Sequence, residues 1–228
     1  MTILRAIGDV HGCINTHHPR KGVSYRDIIK GVDYSVQLGD MGFNYSGLKG
    51  VGNRHMFIPG NHDNYDRLGA NAVDFVPNTV DYGPVALGPF VFFAVRGEWS
   101  IDIRQRIEAM NRSNQKIWWN EEELSKQEME SALNLYEEVK PSVMMTHGCP
   151  LSISEIVGSP GVWKYFGWDE KKVTNTQYLL EYMLQTHQPK LWLFGHYHRD
   201  WTRTIGDTTF MCIDELNYVD FNEQWEVV

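Results

Sequence analysis

Five short apolar runs in this chain stop abruptly at glycine and at a side chain able to hold a cation. They are Ile3 to Ile7 before Gly8-Asp9, Tyr34 to Leu38 before Gly39-Asp40, His55 to Ile58 before Pro59-Gly60-Asn61, Ser142 to Thr146 before His147-Gly148, and Lys190 to Phe194 before Gly195-His196. Apolar runs this short, bounded by turn residues, read as buried strands whose C-terminal ends open into loops. Five strand ends therefore carry polar, ligand-type side chains.

Helical patterns lie between them. Ser125 and Glu128 have the spacing of a capping box ahead of Met129, Ala132, Leu133, Tyr136 and Val139 at helical period. A second helix is expected from Thr174 and Gln177, another capping-box pair, with Tyr178, Leu179, Tyr182 and Met183 on one face and Pro189 blocking continuation. Strands alternating with helices imply an α/β layered domain. The segments Tyr82 to Ile103 and Trp201 to Val228 read instead as hairpins or meanders able to form a second sheet, and Arg104 to Glu123 as a mobile polar excursion. No repeat, low-complexity tract or linker divides residues 1–228, so a single domain is expected.

The chain has 228 residues, 42% of them hydrophobic, enough for a sizeable core. Its formal charge of -8 supplies no basic field for duplex nucleic acid or an anionic membrane, so an anionic substrate must be attracted locally. Thr2 to Ile7 is too short for a signal-peptide core, and no run approaches membrane-spanning length. Cys13, Cys149 and Cys212 form no CxxC pair, which argues against a disulfide framework and a zinc ribbon. A reducing cytoplasm is the expected setting.

The ligand-type residues form a set. Asp9 and His11 stand two apart on a segment read as extended, which would turn both side chains to one face, and His196 and His198 repeat the spacing. Asp40 has two carboxylate oxygens with which to bridge two cations, Asn61 a neutral carbonyl oxygen, and His147 an imidazole nitrogen. Two divalent ions bring about four positive charges, of which Asp9, Asp40 and a shared hydroxide return about three. The remaining positive field suits a phosphoryl oxygen, and a bridging water with its pKa lowered toward about 7 suits nucleophilic attack.

Gly8-Asp9-Val10-His11-Gly12, Gly39-Asp40, Gly60-Asn61-His62-Asp63, His147-Gly148 and Gly195-His196-Tyr197-His198 occur in the order found in the calcineurin-like phosphoesterases, and from Gly8 to His198 the chain resembles that superfamily. The resemblance implies a four-layer α/β/β/α sandwich with a dinuclear metal site at the C-terminal ends of the strands. It implies that Asp9, His11 and His198 hold one metal, that Asn61, His147 and His196 hold the other, and that Asp40 bridges them. His62 is then the catalytic histidine at the leaving-group oxygen, with Asp63 orienting its ring. The expected reaction is in-line attack on phosphorus by the metal-bridging hydroxide. The expected substrate is a phosphomonoester such as a nucleotide or phosphoprotein. Manganese is the working metal, with iron, zinc and nickel also compatible. A phosphodiesterase or nuclease with the same metals is the alternative, and a metal-binding interaction module without catalysis is a third reading. The protein phosphatases and dinucleoside tetraphosphate hydrolases of the superfamily usually carry an arginine shortly after the bridging Asp, where this chain reads Met41-Gly42-Phe43-Asn44. Asn44 is the candidate phosphate contact in its place.

Other polar and aromatic residues receive plainer readings. His17, His18, His55 and His187 are expected to be surface or packing residues, with a pocket-lining role open for His17 and His18. Cys13 and Cys149 are expected to be packed thiols rather than ligands. Trp99, Trp118, Trp119, Trp163 and Trp168 are read as packing residues, with an aromatic rim over the metals as the functional alternative. Arg96, Arg104, Arg106 and Arg112 are candidate phosphate clamps better explained as surface arginines, and Glu121 to Glu123 as the acidic approach to a helix.

Overall fold

The computed structural model describes residues 1–68 and 79–228. The strands are β1 (Leu4–Ile7), β2 (Tyr34–Gln37), β3 (His55–Phe57), β4 (Tyr82–Leu87), β5 (Phe90–Val95), β6 (Val143–Thr146), β7 (Leu191–Phe194), β8 (Trp201–Ile205), β9 (Thr208–Cys212) and β10 (Tyr218–Phe221). The helices are α1 (Tyr25–Ile28), α2 (Ile103–Ser113), α3 (Lys126–Val139), α4 (Leu151–Val157), α5 (Val162–Tyr165) and α6 (Asn175–Thr186).

Successive strand residues point to opposite faces, so a strand stays apolar throughout only when both faces are covered. In β6 and β7 this holds residue by residue, and in β5 from Phe92 to Val95, whereas Val91 near its start is exposed. Phe92, Met145 and Leu193 face the second sheet, where Leu4, Ala6, Val36 and Leu38 meet them. Their neighbours Phe93, Met144 and Trp192 face the opposite way, onto Ala132 and Tyr136 of α3, Ile153 of α4, and Leu180 and Met183 of α6. A third cluster, with Ile7, Val10, Tyr25, Ile28 and Leu48, covers the outer face of the smaller sheet. The layers are thus helix, sheet, sheet, helix, the first being thin: α1 and the 3-10 turn Tyr45–Leu48. Trp192 is fully buried and its indole N–H donates to Thr146 Oγ1 at 2.9 Å, so this aromatic strand centre leaves no polar atom stranded.

The smaller sheet has the order β10-β1-β2-β3 and the larger β4-β5-β6-β7-β9-β8. β1, β2 and β3 run parallel to one another, as do β5, β6, β7 and β9. Parallel order brings the loops after β1, β2 and β3 to one edge, and those after β6 and β7 to one edge of the other sheet.

Several expectations need correction. The capping box of α3 is complete, but α6 has only half of one: Thr174 accepts from Gln177 N, while Gln177 Oε1 is buried without a partner. The inward face of α6 is Thr176, Leu179, Leu180 and Met183, at i, i+3, i+4 and i+7, which turns Tyr178 and Tyr182 to solvent. Val139, at the end of α3, is also exposed. Residues 104–123 are no loose excursion: α2 occupies half of them, and Arg106, Trp119 and Glu122 are buried. The hairpins β4-β5 and β8-β9 form the two edges of the larger sheet, and β10 crosses to the smaller one, where Leu4 pairs with Phe221. Among the described residues no helix is long and apolar enough to cross a membrane.

Candidate active site

The loops after the five strands carry their donors on backbone that few residue types tolerate. His11, Asp40, His196 and His198 have φ of 46°, 60°, 67° and 50°. Asp, Asn and His enter this left-handed region more readily than other non-glycine residues, and such outliers gather at functional sites. The convergence of Asp9 with His11, and of His196 with His198, therefore comes from left-handed turns beyond the strand ends, not from an extended segment. Glycine clears the space behind them. A Cβ on Gly39 (φ 102°) would lie 2.1 Å from the His147 ring, and one on Gly60 would lie 2.3 Å from Asp40 Oδ1 and 2.7 Å from His147 Nε2.

The donor atoms fall into two groups. In one, Asp9 Oδ2 lies 3.2 Å from His198 Nε2 and 3.6 Å from His11 Nε2, and the two ring nitrogens are 3.2 Å apart. In the other, Asn61 Oδ1 lies 2.9 Å from His147 Nε2 and 3.1 Å from His196 Nδ1, with the two nitrogens 3.3 Å apart. Asp40 spans the gap: Oδ2 is 3.8 Å from His11 Nε2, and Oδ1 is 3.2 Å from His147 Nε2. Octahedral bonds of about 2.1 Å to a shared ion would put adjacent donors about 3 Å apart. The chemistry of the contacts agrees with that spacing. Asp9 Oδ2 is buried without a hydrogen-bond partner. His147 Nδ1 donates to Leu38 O at 2.8 Å, so neutral His147 turns a lone pair toward the Asn61 oxygen. Acceptors facing acceptors in a buried site call for a cation, and the residues fit a divalent metal at each group.

The electrostatics follow from that crowding. Burial opposes the charge on Asp9, but the His11 and His198 rings outweigh it and hold its carboxyl well below the usual range. Burial likewise raises Asp40, while His147, His62 and His11 bring it down to about 2. His11 is lowered by burial but raised further by Asp9 and Asp40, to about 9. His196 is pushed down to about 3 by burial and by His147.

Residues 4–200 match the family model of the calcineurin-like phosphoesterases. The chain belongs to that family. Hydrolysis of a phosphoric ester is the coarse activity that goes with membership, and divalent metal ions go with it too. No curated protein matches the chain. Among solved structures it is similar to a candidate 5'-nucleotidase of Staphylococcus aureus, with a TM-score of 0.51 and 12% identity over 99% of this chain and 52% of that one. It is also similar to a dimetal phosphatase of Danio rerio, with a TM-score of 0.50 and 12% identity over 96% of this chain and 91% of that one. The chain spans about half the length of the first and nearly all of the second. At this identity the likeness is one of fold.

In this phosphoesterase His62 lies beside the first donor group without belonging to either. Its ring is edge-on to His11, with centroids 5.0 Å apart, and lies against Phe43 at 6.2 Å. It also lies near enough to His11 and Asp40 to form a third possible ligand trio with them. Burial, then Arg106 and His11, bring its pKa down to about 4 against the pull of Asp40. Asp63 does not partner that ring. Its carboxylate accepts from the backbone N–H of Gly60, Asp40, Met41 and Gly42 and from the Tyr45 hydroxyl, at 2.7 to 3.3 Å. It ties the Asp40 loop to the Asn61 loop, and burial together with Asp40 pushes it up to about 7.

Sequence reasoning missed the residues that orient Asn61. Asn61 Nδ2 donates to Ser100 Oγ at 3.3 Å, and Ser100 donates through Oγ and N to the two oxygens of buried Glu122, at 2.6 and 2.8 Å. This chain of bonds turns the Asn61 oxygen toward His147 and His196. Arg106 donates to Asn61 O at 2.7 Å and to Asp102 at 2.8 Å, so it is a buried strut and not a surface arginine. Arg96 is buried too, paired with Asp81 and Glu128, whereas Arg112 is an exposed partner of Glu108. Asn44 is exposed and caps a 3-10 turn through Ser46 N, which occupies the side chain expected at phosphate.

The plainer readings fare well. His17 pairs with Asp27, His18 with Glu215, His55 with Ser35, and His187 with the Pro141 carbonyl. Cys13, Cys149 and Cys212 are free, and burial raises all three thiols, most strongly Cys149, which also contacts the Tyr197 hydroxyl.

Beside the donors opens a cleft of about 750 Å³, lined by His11, Asp40, Asn61, His62, His196 and His198 on one side. Trp99, Ile101, Trp163 and Phe166 line another part of it. Trp119 is instead buried against Phe43.

Proposed function

We propose that this protein is a metal-dependent phosphomonoesterase, in which Asp9, His11 and His198 hold one divalent cation, Asn61, His147 and His196 hold the second, and Asp40 is shared. The observation that carries this reading is the buried, unpartnered Asp9 Oδ2 in a site where acceptor atoms from five strand ends face one another. When bound, such a pair of cations supplies Lewis acidity toward a phosphoryl oxygen and activates a water. Manganese is the working choice, since mixed carboxylate, amide and imidazole donors also accept iron, zinc and nickel. Three free thiols favour a reducing cytoplasm as the setting.

The protein's own side chains supply the rest. His62 lines the cleft beside both donor groups, and a neutral ring donates an N–H to the departing oxygen without adding a full charge to the site. Asp63 serves as the brace that fixes where Asp40 and Asn61 stand, and the ring of His62 takes its place from Phe43 and His11. The substrate is an ester of a single alcohol, a nucleotide or a phosphoprotein, drawn in by the local positive field. Hydrolysis of phenyl phosphate against bis-phenyl phosphate by manganese-loaded protein tests this. A strong preference for the diester would replace the monoesterase reading with a diesterase one. A protein inert to both with two metals bound would point to a metal-binding module.

A further inference from the structure

The tryptophans around the cleft are braced in a way that core packing does not require. Trp99 and Trp163 lie with ring planes 14° apart and centroids at 6.1 Å, and Trp168 leans on Trp99 at 5.2 Å. Behind them, the Trp168 indole N–H donates to Ile101 O at 2.8 Å. Arg104 lies 3.9 Å above the Trp168 ring and donates to Gly167 O at 2.6 Å. The residues that follow α5 are thereby fastened to the start of α2. None of the three rings belongs to the buried core clusters, and all three are only half-buried. Trp99 and Trp163 line the same cleft as His62 and the metal donors. A rigid aromatic wall beside a phosphate site is placed to hold a planar leaving group by stacking. The cleft is also lined by Glu98, Thr174, Gln177 and Lys171, a polar border that suits a ring edged with nitrogen and oxygen better than a plain hydrocarbon ring.

We propose that Trp99 and Trp163 form a leaving-group subsite for a nucleobase, so that the ester cleaved is a nucleoside monophosphate. The proposal rests on the phosphomonoesterase reading for the phosphate end only; the subsite itself needs no catalysis. A base stacked on one indole contributes about tenfold to a hundredfold in binding.

The test compares kcat/KM of the manganese-loaded protein for AMP, ribose 5-phosphate and phenyl phosphate, and follows adenosine binding by tryptophan fluorescence. AMP is expected to exceed ribose 5-phosphate by about tenfold or more. In Trp163→Ala that ratio should fall to within about threefold of unity, with saturable adenosine binding lost. Trp99→Phe, which keeps a ring, should retain most of the ratio. Equal AMP and ribose 5-phosphate values in a protein that cleaves phenyl phosphate would overturn the subsite and leave the phosphomonoesterase reading standing. Adenosine binding that is saturable and lost in Trp163→Ala, in a protein that cleaves none of the three esters, would uphold the subsite and remove the hydrolase reading. Phenyl phosphate matching AMP, with the same loss in Trp163→Ala, would overturn the nucleobase in favour of a simple aryl ester.

Discussion

Replacing Ser100 with alanine should weaken one of the two proposed metal sites and spare the other. Ser100 Oγ accepts from Asn61 Nδ2 at 3.3 Å and donates to Glu122 at 2.6 Å. Ser100→Ala removes both bonds while the Ser100 backbone N–H still donates to Glu122. The short bond to a buried carboxylate is worth about 1.5–3 kcal/mol of stability. The longer bond matters more for function, because among the described residues it is the contact that distinguishes the Asn61 nitrogen from its oxygen on the side away from the histidines. With it gone the amide is free to turn its NH2 group toward His147 and His196. Loss of such an orienting contact lowers metal affinity by about 10- to 100-fold, or about 1.4–2.7 kcal/mol. Titration of metal-stripped protein with manganese by calorimetry should show two binding steps. Asn61→Ala identifies the step that depends on Asn61, and Ser100→Ala should weaken that step while Ser100→Thr restores it. Two steps both unchanged within about twofold, or both weakened alike, would refute the reasoning.

His62→Ala should lower kcat by about 10²- to 10⁴-fold while the manganese stoichiometry measured by metal analysis stays at the wild-type value. Asp63→Ala removes the acceptor of five hydrogen bonds between the Asp40 and Asn61 loops. It should destabilise the fold by at least about 3 kcal/mol in urea unfolding, and a variant of wild-type stability with selectively reduced kcat would instead make Asp63 a direct partner of the chemistry. Burial chiefly raises Glu122, to about 7 from an ordinary 4.5. A raised folded-state value means that its favourable contribution is present below about pH 4.5 and is lost as pH rises through 7. Glu122→Gln should therefore gain Tm relative to wild type between pH 5 and pH 8, and a difference that does not change with pH would show that Glu122 stays ionised.

That the candidate donors come together was legible because their positions depend on local patterns. Gly39-Asp40 and Gly60-Asn61 each end a short run read as a strand, and that combination is visible in a single chain without any partner to compare. Helix starts were legible for the same reason, as at Ser125 and Glu128. The face of α6 was not, since Tyr178 and Tyr182 have the right period one residue out of phase with Leu179 and Met183, and only the packing on β7 decides between them. The bracing of Asn61 was invisible because Ser100, Arg106 and Glu122 lie 39, 45 and 61 positions away, and no local pattern links them to it. The separation of Asp63 from the ring beside it was equally hidden. Adjacent residues on a tight turn point in different directions, and the Asp63 carboxylate turns to the Asp40 loop and Gly60 instead of to the ring that the resemblance pairs it with.

The left-handed turns at His11, Asp40, His196 and His198 bear on how such a site changes over generations. The short polar residues that tolerate this backbone, Asn, Asp and His, are also the ones that bind cations, and glycine tolerates it best of all. A drifting gene therefore meets an uneven set of options at these four codons. Exchange among Asn, Asp and His alters metal preference or charge on the same backbone, and exchange for glycine deletes a donor while the left-handed backbone is kept. A valine or isoleucine there would strain the loop itself. Lineages descending from this scaffold can thus lose catalysis one donor at a time and remain well folded, which leaves the surface around an emptied site available for selection as a place to bind something else.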